Sequence, residues 1–154
     1  MSVAKLQTED PVAELSRLRA RLKRLHDYAA PSTFSNATSA LLACRNELKL
    51  VLPLLIAHFT HEAALLSALG LEEPEKGRLE SSLAENQSRV RELRAVLESA
   101  DLVVEESVSG RDSSAIARGL CAYLAACVAD VMRHEENDCP LRLSHPRGVP
   151  SRAS

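Results

Sequence analysis

The chain has no tryptophan and only two phenylalanines and two tyrosines in 154 residues, so aromatic side chains cannot build its core. Leu, Ala and Val must do so, within a hydrophobic share of 45%. β-Branched residues are scarce beyond a few valines, and that composition disfavours sheets and favours helices. The four cysteines, Cys44, Cys121, Cys127 and Cys139, form no Cys-x-x-Cys pair and match no zinc spacing. A reduced, cytoplasmic protein is the expectation from that usage. The apolar run from Leu50 to Ala57 is far short of a membrane span, and no apolar stretch follows Lys5 to make a signal peptide. The formal net charge of −2 offers no electrostatic reason to expect nucleic acid or an anionic membrane as partner. Arg17, Arg19, Arg21, Lys23 and Arg24 cluster, and read as a solvated helix face. No phosphate loop, nucleotide fingerprint or nucleophile motif is present.

What remains is a helical pattern of a size that buries one core. Asp10-Pro11 predicts a helix start carrying Leu15, Leu18, Leu22 and Leu25 or His26, and ending before Pro31. Residues 30–38 are turn-rich and hold several candidate N-caps. A long second helix runs to Leu69 and stops at Gly70, with Pro53 expected to kink or divide it. Glu73-Pro74 opens a third helix with the stripe Leu79, Leu83, Asn86, Val90, Leu93 and Leu97. The stretch Asp101 to Asp112 reads as a connection, after which Asp112 or Ser113 caps a fourth helix to about Cys139. The expected architecture is all-α, an up-down-up-down antiparallel four-helix bundle over residues 1–143, with 144–154 a disordered tail.

Two stripes in this pattern break into a histidine and a carboxylate one turn apart. One runs Leu48, Val51, Leu55, His58, Glu62, Leu65, Leu69; the other runs Leu120, Cys127, Val131, His134, Asp138, Leu141. Steps of three and four put these side chains on the face that a bundle buries. A buried carboxylate costs several kcal/mol unless it is partnered, so two such pairs point to a metal held between helices. The alternative is a pair of internally satisfied His–carboxylate hydrogen bonds.

Counting along antiparallel helices places other polar groups near the same height. His58 lies twelve residues before Gly70, and twelve residues beyond Pro74 is Asn86, preceded by Glu85. Counting back through the 101–112 connection reaches a window holding Asp130 and His134. His26 sits near the end of its helix, whereas the height of His58 falls nearer Glu14 to Leu18. His61 could substitute for His58, while Glu85, Glu135 or Asn86 would orient the ligands or bind weakly themselves. Imidazole and carboxylate donors suit iron, manganese or zinc. His58, Glu62, His134 and Asp138 are therefore the leading ligand candidates, with His26, His61, Glu85, Asn86, Asp130 and Glu135 behind them.

With those residues in place, the chain resembles the hemerythrin-like, or HHE cation-binding, family. The segment Leu55-Ile-Ala-His58-Phe-Thr-His-Glu62 looks like that family's second-helix motif, and His134-Glu-Glu-Asn-Asp138-Cys-Pro140 like its last-helix motif. The resemblance implies a four-helix bundle with a non-haem iron centre of one or two ions. It also implies an open position for dioxygen, nitric oxide or peroxide, or a part in handling iron. The chain departs from the family where Asn86 stands in place of a third-helix histidine and Leu22 in place of a first-helix one. Three functional readings follow. One is a metal protein that binds a small gas or oxidant. Another is a metal-free helical module for a protein partner or a second copy. The third is an enzyme such as a di-iron oxidase or peroxide consumer.

Overall fold

Small polar residues, proline and glycine set the helix boundaries. The computed structural model describes residues 11–30 and 35–137, which contain four helices and no strand. We number them α1, Pro11–Ala29; α2, Ala37–Leu69; α3, Glu75–Val108; and α4, Ser114–Asn137. Asn36 caps α2, its Oδ1 accepting from the Ser39 amide at 2.8 Å. Gly70 ends α2 at φ 60°, a left-handed conformation that a side chain disfavours. Asp112 Oδ1 accepts from the Ser114 amide at the start of α4. That bond holds its carboxyl below the usual range.

One sequence expectation is narrowed here and another corrected. Of the two outcomes expected at Pro53, division does not occur, because α2 runs unbroken through it. Pro53 and Lys49, whose carbonyl loses its helical partner, are both exposed, so the interruption falls on the solvent side of the helix. The connection predicted from Asp101 to Asp112 is mostly helix, because α3 continues to Val108. Ala100 and Val103 keep its buried stripe going past the polar residues that suggested a loop. The tail 144–154, and Asp138 with it, lies outside the described residues.

The four helices pack around one core, consistent with a four-helix bundle. Packing is unequal around the ring. α2 and α4 touch directly across the centre, while α1 and α3 flank them and do not meet. Buried residues on the two central helices follow a heptad spacing: Cys44, Leu48, Val51, Leu55, His58 and Glu62 on α2, and Ala117, Cys121, Leu124, Val128, Val131 and Glu135 on α4. The seam of α4 thus passes through Cys121, Leu124 and Val128, while Leu120 and Cys127 are only half-buried beside it. By length and composition α2 and α4 are each apolar enough to cross a membrane, a property they share with helices that face a protein core.

Candidate metal centre

The central α2–α4 seam turns polar at one height, and the side chains there converge. His58 Nε2 lies 2.7 Å from Glu62 Oε1, one turn along α2, and 2.8 Å from Glu135 Oε2 on α4. All three residues are fully buried, and their donor atoms lie within 4.8 Å of one another. The group could hold a metal ion. A neutral imidazole carries one N–H, so Nε2 cannot donate fully to two carboxylates at once. Two carboxylates and one ring nitrogen aimed at a common point are better satisfied by a cation between them.

His134, also on α4, adds a fourth donor. Its Nε2 stands 4.0 Å from Glu62 Oε2, beyond hydrogen-bond reach. That Nε2 atom is buried with no hydrogen-bond partner among the described residues, and so is Glu135 Oε1. Such orphaned atoms are uncommon in folded proteins, and a missing ion is one standard reason for them. Phe59 lies close to both imidazoles, with centroids 5.8 Å from His58 and 6.4 Å from His134, and its apolar ring limits water on that side.

A polar chain ties Glu62 to the surface. Asn86 of α3, itself buried, donates through Nδ2 to Glu62 Oε2 at 3.2 Å. Arg89 donates to Asn86 Oδ1 at 2.9 Å and to Asp130 Oδ2 at 2.9 Å. Arg89 therefore fixes which way the Asn86 amide points, and only its NH₂ can face Glu62. Glu85 lies at the exposed end of this chain, 3.4 Å from Arg89.

The structure thus gathers His58, Glu62, His134, Asn86 and Glu135. Asp130 and Glu85 bind Arg89 instead, and Asp138 is not among the described residues. His61 points outward and pairs with Glu14 of α1 at 2.9 Å. His26 lies at the other end of the core, in a cleft with Arg118 and Cys121. Glu135, a secondary candidate on sequence grounds, lies inside the buried donor group. His134-Glu-Glu-Asn-Asp138 offers three acids in four positions, and the heptad phase set by Cys121, Val128 and Glu135 is the signal that selects one. No protein-family model, curated protein or solved structure matches the chain.

Proposed function

We propose that this protein binds a single divalent metal ion through His58, Glu62 and Glu135, with His134 as a fourth ligand. The convergence of three buried donors from two helices, beside two orphaned donor atoms, carries this reading. Nitrogen and oxygen donors without thiolate favour iron, with manganese or zinc accommodated by the same set. In this scheme Glu62 and Glu135 neutralise the ion, His58 and His134 supply neutral nitrogen, and Asn86 steadies Glu62. Two imidazoles suit one ion better than a histidine-rich pair of ions.

The resemblance to hemerythrin-like proteins extends the proposal. The bound metal would be iron, and its open position would take dioxygen, nitric oxide or peroxide for binding or sensing, or iron would be handled as cargo. We read the topology as up-down-up-down antiparallel. The pairings of Glu14 with His61, Arg21 with Glu47, Arg45 with Asp101 and Arg89 with Asp130 support that order. α2 and α4 are read as core helices, since a site carrying two buried carboxylates lies between them.

A metal-free interaction module is the second reading, favoured by the contacts that His58 already makes with both carboxylates. Anaerobic titration of the metal-free chain with ferrous ion separates the two. The proposal predicts saturation near one equivalent, and a changed absorption spectrum on adding nitric oxide or dioxygen. Absence of saturable binding by a folded chain would leave the module reading.

A further inference from the structure

Two heptads from the acid–imidazole cluster, the same α2–α4 seam brings two thiols together. His58 faces Glu135 across 77 residues of sequence, and Cys44 faces Cys121 at the same separation. Val51 and Val128 hold the equivalent positions between them, and Ala40 and Ala117 those one turn before, all buried. The register is therefore constant along the seam, and the alanines let the two helices approach closely at the thiol layer. Both cysteines are free and buried, and each thiol is the chief influence on the other's acidity.

We propose that Cys44 and Cys121 form a reversible redox-modification site, closing to a disulfide between α2 and α4 when a hydroperoxide reaches Cys121. Cys121 lines a cleft of about 590 Å³ with His26, Arg118, Ala122 and Ala125, whereas Cys44 is fully enclosed behind it. The cleft gives the oxidant its access, and Arg118 lines the same cleft with its side chain exposed. Access assigns the roles: Cys121, on the cleft, meets the oxidant first, and Cys44, enclosed, resolves it. The neighbouring thiol holds Cys121 below its ordinary range and, together with burial, pushes Cys44 up.

The Cys121 thiolate attacks the distal peroxide oxygen, the O–O bond breaks, and an alcohol or water leaves with the thiol's proton. Cys121 is then a sulfenic acid. The Cys44 sulfur attacks that sulfur, an S–S bond forms, and hydroxide leaves as water with the Cys44 proton. Two thiols are oxidised and one hydroperoxide is reduced. The third described cysteine is an internal control. Cys127 is pushed up to about 11, first by burial and then by the neighbouring Glu92, and has no thiol partner among the described residues.

The test is titration of the reduced full chain with hydrogen peroxide at neutral pH, in the presence of a chelator so that metal chemistry plays no part. The expected result is loss of two of the four titratable thiols and of two hydrogens from the intact mass. A Cys44–Cys121 cross-link should appear in the peptide map and be reversed by a thiol reductant. Cys44→Ser should halt at a trappable sulfenic acid on Cys121, and Cys121→Ser should abolish the cross-link. The wild-type peptide map decides the matter even if either variant fails to fold. First oxidation at Cys127 or Cys139, a link between chains, or four thiols that persist would each overturn the proposal.

Discussion

Glu47 and Glu62 are two buried acids on one helix, fifteen residues apart, and the chain treats them differently. Glu47 accepts from Arg21 at 3.0 Å and lies 4.0 Å from Arg24, both on α1. Those guanidiniums keep their charge under all ordinary conditions and remain partly in water, 36% and 53% exposed. Glu62 instead faces the His58 and His134 imidazoles and the Asn86 amide, and a second buried carboxylate, Glu135, shares His58 with it. Imidazoles at neutral pH are as ready to bind a metal as to carry a proton. The first acid is completed by its own chain. The second belongs to a buried group that could hold a metal ion.

The comparison can be broken at either end. The largest expected change comes from replacing the converging donors with apolar residues. A His58→Leu, Glu62→Leu, Glu135→Leu variant should be more stable than the metal-free parent by about 1–4 kcal/mol, as happens when buried ionic groups are exchanged for packed hydrocarbon. Denaturant unfolding in chelator measures this, and a destabilised variant would show that the group serves stability. Metal itself should stabilise the parent by about 2.7 kcal/mol at a hundredfold excess over its dissociation constant, through linkage to the folded state. Thermal melts with and without chelator read that difference, and Glu47→Ala should show the same gap.

Glu47→Ala should lower stability by about 2 kcal/mol, less than a fully buried pair would lose, because Arg21 and Arg24 can return to water. Metal affinity should be unchanged in that variant, and a matching loss there would erase the distinction between the two acids. Asn86→Ala is the finest probe. Losing a group that orients a ligand should weaken metal binding about tenfold while leaving the fold intact. A competition titration against a coloured chelator resolves that change, and no change would remove Asn86 from the centre.

Much of the helical order is legible in the sequence, because its signals are local. Pro11, Gly70 and the Asp112–Ser113 pair mark helix ends by backbone chemistry alone. The length of α3 is less legible: Asp101, Glu105 and Glu106 look like loop residues, yet Val103 is packed inside. On α4 the run Leu120-Cys-Ala-Tyr-Leu-Ala-Ala-Cys127-Val is apolar around most of the helix. Periodicity cannot choose a face for such a segment. The true seam is one residue out of phase with the sequence reading at Cys121, and that phase brings Glu135 to His58. His58 and Glu62 stand out in the sequence because their stripe is cleaner. The Cys44–Cys121 contact is non-local, and only the packing of α2 on α4 reveals it.

Metal content per chain is the most direct measure of the central claim. It would be determined by elemental analysis on the parent, Glu47→Ala and Glu62→Ala proteins, each expressed with iron available and checked for helicity. The account predicts about one ion in the parent and in Glu47→Ala, and none in Glu62→Ala, as expected for one four-donor site. A folded parent without metal, or Glu62→Ala retaining the parent's content, would contradict it.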